Sequence, residues 1–156
     1  MKAKIQEILL IQSECGSSLV EMAVILPVLL LILFGAVDFG RAYYLTIELA
    51  GASRAGAIYG SQYPTDTSGV TNAAKLNAPD VPGIGSSSSW GCECSDGTGK
   101  VTSCSTTPSC SANVVYYVTV KATASYSPLF PWPGVPSPIA LSDSSTMRSG
   151  STNTPF

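Results

Sequence analysis

The stretch MAVILPVLLLILFGAV, residues 22–37, contains no charged side chain and decides how the chain is organised. A helix over these sixteen residues would be about 24 Å long, slightly shorter than the roughly 30 Å hydrocarbon core of a bilayer. Adding Leu19 and Val20 makes it long enough, although Glu21 then enters the membrane. A buried core helix is the alternative, but the remaining sequence has too few large apolar side chains to surround it. The stretch therefore predicts a transmembrane helix.

The composition divides the chain into an apolar rod and a polar body. Overall, the 156 residues are 45% hydrophobic and only 12% charged, whereas about a quarter of a soluble domain is charged. Residues 17–60 hold 29 hydrophobic residues in 44, while residues 61–156 hold 33 in 96. The length leaves room for one body of ordinary size.

Charge and the absence of histidine exclude several functions. The net charge of -2 excludes a basic nucleic-acid binder. The sequence contains no histidine, which removes serine–histidine and cysteine–histidine catalysis and histidine-ligated metal sites. The aspartates lie in turn-like contexts and form no close pair along the chain: Asp66, Asp80, Asp96 and Asp143. We therefore expect no catalytic residues, no metal and no cofactor.

The charges around the apolar stretch predict its orientation. Lys2 and Lys4 precede it, and the positive-inside rule places such lysines in the cytoplasm. Arg41 follows the stretch, and Tyr43 and Tyr44 suit the outer interface, where aromatic rings collect. The pattern predicts a single pass with the N-terminus inside and the body outside.

The helical pattern continues beyond the membrane. No proline occurs between Asp38 and Tyr59, so the helix is expected to extend over residues 39–60. Ala52, Gly56 and Gly60 recur at four-residue spacing, which indicates close approach by another helix or a sheet. A frayed helix end would explain the same residues, and the spacing does not decide between the two.

The body, residues 61–156, contains two candidate strands. In Val114–Tyr126, apolar residues alternate with polar ones from Tyr117 onward, which predicts a strand with one apolar face. A proline-rich turn, Ser127–Pro138, leads to a second strand, Ile139–Met147. The outer half of the long helix is the expected cover for this hairpin or meander. The fold class is therefore α+β, with a long N-terminal helix packed by a small antiparallel β-sheet.

The segment before the first candidate strand has the composition of loops. Turns are expected around Pro64, Pro79 and Pro82, and a solvated loop at the serine run Ser86–Ser89.

Four cysteines fall within nineteen residues of this body: Cys92, Cys94, Cys104 and Cys110. Their spacing only faintly resembles a zinc ribbon. An extracytoplasmic body favours disulfides, and links from the first two to the last two are preferred because a C-x-C bridge is strained. All three connectivities remain open.

The residues before the apolar stretch do not form an ordinary secretory signal, because polar residues precede the apolar run directly. Gly16, followed five residues later by Glu21, resembles the prepilin peptidase site of type IV pilin-like proteins. The resemblance implies cleavage between Gly16 and Ser17 by a membrane aspartic protease on the cytoplasmic side. Residues 1–16 would be the leader, and residues 17–38 the transmembrane segment.

The same resemblance gives roles to two residues of the span. In assembled pilins the partner of the glutamate is the terminal ammonium of a neighbouring subunit, so Glu21 would set the axial register. A glutamate at headgroup level is the alternative. Pro27 removes the helical hydrogen bond to residue 23 and should kink the span; in related pilins a proline near this point marks a region that loosens on assembly.

Residues 16–44, GSSLVEMAVILPVLLLILFGAVDFGRAYY, with the A-x-x-x-R-A-G-A stretch Ala50–Ala57, resemble the TadE-like family. Its members are minor pseudopilins of the tight adherence (Tad, or Flp) pilus. The PLFPWPG of Pro128–Gly134 and the STMR of Ser145–Arg148 are similar too. The leader is less basic than in many members, and Met22 replaces the aromatic of major Flp pilins.

This resemblance implies a protein that takes part in pilus assembly and adhesion, made in the bacterial inner membrane and able to join the pilus after processing. Its partners would be the membrane, a prepilin peptidase, other pilins or pseudopilins and the assembly machinery, with no nucleic acid. Loss of the leader would remove Cys15 and leave an even set of four cysteines. The alternative is an uncleaved, membrane-anchored extracytoplasmic module for binding or adhesion.

Overall fold

A computed structural model describes residues 2–111 and 113–149, with side chains from residue 18 onward. Two helices and four strands follow in the order α1 (Lys2–Gln62), α2 (Thr67–Asn77), β1 (Gly85–Cys94), β2 (Val101–Thr102), β3 (Val114–Tyr126) and β4 (Ile139–Arg148). A long apolar N-terminal helix, a small antiparallel sheet and disulfides in the loops confirm the predicted α+β class. The chain divides into two units, residues 1–40 and 41–156.

The first unit exposes the apolar stretch that the sequence singles out. From Ser18 onward α1 is long and apolar enough to cross a membrane, and none of its most apolar eighteen-residue window is buried. Leu19 is 71% exposed and Leu33 is 55% exposed. A soluble core helix would bury such side chains, so the core-helix alternative is wrong, and the exposed apolar helix is suited to a membrane anchor.

The second unit is built on a four-stranded antiparallel sheet in the order β2-β1-β3-β4. Its central strand β3 buries Val118, Val120 and Ala122 on one face and exposes Lys121 on the other. Strand β4 pairs with β3 from Tyr126 opposite Ile139 to Tyr117 opposite Arg148. The predicted hairpin and its alternation are confirmed.

The later part of α1, residues 41–62, covers the apolar face of this sheet. Leu49 and Ala52 pack with Ala122 and Ala124, while Ala57 packs with Val118 and Val120 further along the helix. Helix and strand therefore run antiparallel. Their lengths match, because the nineteen residue-to-residue steps of the helix from 41 to 60 span about 28 Å and the eight steps of the strand from 126 to 118 span about 27 Å.

Helix α2 completes the cover and was not predicted. The Asp66 side chain caps it by accepting from the amide of Gly69 at 2.9 Å. Only Val70 and Ala74, one turn apart, are buried. Their spacing is helical, but an eleven-residue helix with two small buried residues gives a weak periodic signal. Flanking prolines and the polar composition favour a loop in the sequence.

The serine run Ser86–Ser89 is part of strand β1, so its prediction as a solvated loop is wrong. Serine has no strong strand preference, and four in a row give no apolar alternation. Pairing with β3 makes the strand: Ser86 lies opposite Ala122 and Ser88 opposite Val120. The Ser88 hydroxyl also donates to the carbonyl of Thr67 at 3.4 Å. The turns at Pro64, Pro79 and Pro82 are confirmed.

The second unit has two distinct ends. At what we call the entry end, where the chain arrives from residue 40, Arg41 lies over the ring of Tyr126, with its guanidinium carbon 5.7 Å from the ring centre. Tyr126 ends β3, so the loop Ser127–Pro138 begins there. The far end carries the α1–α2 turn and the disulfides.

Candidate functional site

The processing-site residues lie early in α1. The backbone of Gly16 and Ser17 belongs to this helix, and their side chains lie outside the described residues. Pro27 lies within α1, which continues through it. Proline has no amide hydrogen, so the carbonyl of Ala23 lacks its usual helical donor. The predicted kink and its loosening remain predictions.

Glu21 is the only ionisable residue between Ser18 and Val37. It is exposed, and so are the apolar side chains around it, with Val20 66% and Met22 58% exposed. A carboxylate on a lipid-exposed surface is costly unless a cation pairs with it. Among the residues of the first unit whose side chains are described, 18–40, there is no lysine or arginine.

In the second unit, the small-residue face of α1 is a close-packed interface. A Cβ built on Gly60 would lie 2.6 Å from Cγ1 of Val118, and one on Gly56 would lie 3.0 Å from Cγ1 of Val120 and 3.1 Å from Cβ of Ala74. Both the sheet and α2 therefore approach the helix where a side chain is missing. Close approach is confirmed, and the frayed-end interpretation is wrong.

Gly60→Ala should lower the free energy of unfolding of the second unit by about 2 kcal/mol, because overpacking a tight core costs about 1–3 kcal/mol. Val118 is fully buried and cannot give way easily. The matched control is Gly40→Ala in the same helix, where no described atom lies within 4 Å of the added Cβ. Denaturant unfolding followed by tryptophan fluorescence measures the free energy of unfolding of both variants. Equal stability of the two variants would contradict the close packing.

A partly buried polar contact joins α1 to strand β4. The Ser53 hydroxyl, fully buried, donates to Oδ2 of Asp143 at 2.6 Å. Asp143 faces the helix because it alternates with the outward-facing Ser142 and Ser144. The contact joins residues 90 positions apart in the chain, and no sequence pattern predicts it. It fixes β4 against the helix through a charge-assisted hydrogen bond.

The cysteines form two disulfides, Cys92–Cys104 and Cys94–Cys110. Both bridges run from the first pair to the second, as preferred from the sequence. Cys92 and Cys94 are two residues apart on β1 and point to the same face of the sheet. Their sulfurs are bonded and are not thiolates, so the zinc-ribbon alternative is wrong. The bridges tie the loop between β2 and β3, which carries Cys104 and Cys110, to strand β1.

An ion pair reinforces the same end. Arg148 Nε lies 2.5 Å from Oε1 of Glu93, whose side chain is only 8% exposed. The pair joins β4 to β1 across the intervening β3. It sits beside the disulfides, since Glu93 lies between the two bridged cysteines of β1.

The aspartates have structural roles. Asp66 accepts from the Gly69 amide, the Ser68 hydroxyl and the Tyr59 hydroxyl, and these hydrogen bonds, led by the Gly69 amide, lower the pKa of its carboxyl. The hydrogen bond that the Tyr59 hydroxyl donates to Asp66 raises the pKa of Tyr59. The Thr98 amide and hydroxyl lower the pKa of Asp96. Across the described residues, no group of three or more acidic or cysteine side chains is placed to hold a metal ion.

Comparison with known proteins gives one match. Residues 16–57 match the family model described as TadE-like protein. This segment contains the exposed apolar stretch, Glu21 and most of the small-residue face. No curated protein and no solved structure matches the chain. The family is a structural component of the Tad pilus system and is not known as an enzyme.

Proposed function

From the match of residues 16–57 to the TadE-like family model, we propose that this chain is a minor pseudopilin of a Tad-type pilus. It is made as a precursor in the bacterial inner membrane, with residues 1–16 in the cytoplasm. A prepilin peptidase cleaves it between Gly16 and Ser17. Residues 17–38 then span the membrane, and residues 39–60 and 61–156 form the extracytoplasmic helix extension and body.

The observation that carries this proposal is the coincidence of the family match with an exposed apolar helix. The match covers residues 16–57, and Leu19–Val37 within it are apolar and outward-facing almost throughout. Such a surface needs lipid or the apolar helices of other subunits around it. A protein that passes from a membrane into a helical bundle can use the same apolar helix surface against lipid first and against the helices of other subunits afterwards.

Glu21 gives the bundle a register. Cleavage after Gly16 leaves an ammonium on Ser17, four residues before Glu21. Opposite charges in a low-dielectric bundle attract strongly, and an unpaired carboxylate there is costly. The ammonium of one subunit would therefore pair with Glu21 of its neighbour and select one axial offset. The body adds recognition of partner subunits, held rigid by two disulfides and the partly buried Ser53–Asp143 contact.

Peptide mass spectrometry of the membrane-extracted protein tests the processing step. In cells with an active prepilin peptidase, we expect the N-terminal peptide to begin at Ser17. In cells without the peptidase, the same preparation should give a peptide from the leader. An intact leader in both strains would contradict the proposal and would favour the uncleaved, membrane-anchored binding or adhesion module.

A further inference from the structure

The loop Ser127–Pro138, between β3 and β4, is an uncharged surface of the second unit that exposes several large apolar side chains. It reads SPLFPWPGVPSP and belongs to a run without charge from Ala122 to Ser142. Leu129 is 56% exposed, Phe130 is 39% exposed and Val135 is 44% exposed. The neighbouring outer face of the sheet presents serine, threonine and lysine instead. A solvated loop would be expected to share that polar composition.

The short stretch of chain between Val37 and Arg41 limits how far this loop can lie from a bilayer around residues 22–37. The apolar stretch ends at Val37, and the four residues to Arg41 reach at most about 14 Å even when fully extended. The Arg41 guanidinium carbon lies 5.7 Å from the ring centre of Tyr126. Tyr126 is the residue directly before the loop. The loop therefore starts within reach of the headgroup layer of the bilayer that holds residues 22–37.

We propose that Ser127–Pro138 is a membrane-contacting loop that inserts Leu129, Phe130, Trp132 and Val135 into the lipid interface. Aromatic rings are favoured at that depth, because they present an apolar body and a polar edge. Five prolines restrict the backbone and remove amide donors that would otherwise need water. Without charged side chains, the loop has no strongly hydrated group to dehydrate on insertion.

We take lipid as the partner of this loop because the membrane-spanning segment keeps the loop close to the bilayer. Every copy with residues 22–37 in a bilayer carries this loop within a short tether of that bilayer, with no second protein required. The loop would make a second, shallow attachment and limit rotation of the body about the anchor. This contact needs only the membrane span of the proposed function, so it applies to the membrane-resident chain whether or not the leader is cleaved.

The two tryptophans of the sequence, Trp90 and Trp132, provide a test with an internal control. Trp90 on β1 lies opposite Val118, which is about 27 Å further along β3 from Tyr126. The full chain is reconstituted into phosphatidylcholine vesicles with bromine either near the headgroup or deep in the acyl chain. Trp90→Phe isolates Trp132, and Trp132→Phe isolates Trp90.

We expect shallow bromine to reduce Trp132 emission about twofold, since interfacial aromatic rings lie at headgroup level, and to leave Trp90 emission unchanged. If Trp90→Phe disturbs the body, the spectrum of the wild type minus that of Trp132→Phe reports Trp132 instead. Quenching of Trp132 no stronger than that of Trp90 would overturn the proposal. A Trp132 emission that reports a buried ring only at a high protein-to-lipid ratio would also overturn the proposal, because a second copy of the chain, and not lipid, would then cover the loop.

Discussion

Replacing Cys94 and Cys110 by serine should lower the free energy of unfolding of the second unit by about 3 kcal/mol, because the chain-entropy model assigns about this cost to a loop of such length. The bridge closes a separation of 16 residues, and Cys92–Cys104 closes one of 12. Without the bridge, the Gly- and Ser-rich segment 95–113 gains many unfolded conformations. The folded unit loses the tie between β1 and its long loop.

Denaturant unfolding of the detergent-extracted protein, followed by the fluorescence of Trp90 in its core cluster, measures this loss. In the uncleaved precursor, the Cys15→Ser variant is the matched control, because it removes a thiol outside the second unit and should leave the transition unchanged. Removing both bridges should cost less than twice as much, since the two loops overlap and their effects are coupled. An unchanged transition in Cys94→Ser/Cys110→Ser would show that the bridge contributes no stability.

Glu21→Val should abolish or severely reduce surface piliation while leaving cleavage after Gly16 intact. The proposed register role depends on a carboxylate in an apolar helix that pairs with the Ser17 ammonium of a neighbour. Valine removes that charge, keeps the span apolar and eases membrane insertion. The anchor and body therefore remain, and only the attraction that selects an axial offset is lost.

Electron microscopy of the piliated host counts the filaments, and mass spectrometry of the same cells reports the mature N-terminus. Glu21→Asp is the conservative control, because it keeps the negative charge one methylene closer to the helix and should retain more piliation than valine. Normal filament numbers in Glu21→Val would contradict the register role. An equal loss in both variants would show that side-chain length matters as much as charge.

Several parts of the fold follow from local patterns in the sequence. The uncharged run of residues 22–37 predicts an exposed apolar helix by length alone. The alternation after Tyr117 predicts β3 and its buried face, and the prolines between Tyr126 and Ile139 predict the connection to β4. Each of these signals repeats over ten residues or more, so single unfavourable positions do not hide it.

Other parts lack such a repeated signal. Strand β1 contains four consecutive serines, and α2 buries only two residues. The Ser53 and Asp143 side chains are ordinary polar residues until the fold brings Oγ and Oδ2 within 2.6 Å. The small-residue face at Gly56 and Gly60 was visible in the sequence and the sheet was its expected cover, but its second partner, α2, was not predicted.

The sequence by itself therefore determined the exposed apolar helix, the helix-on-sheet class and the candidate processing site, because these depend on the hydropathy and spacing of neighbouring residues. Only the tertiary structure decided which cysteines pair, which strand the serine run Ser86–Ser89 pairs with and where the apolar loop Ser127–Pro138 lies. Those features depend on contacts between distant residues. Their free energy comes from packing against β3 and the outer half of α1, which no local pattern encodes.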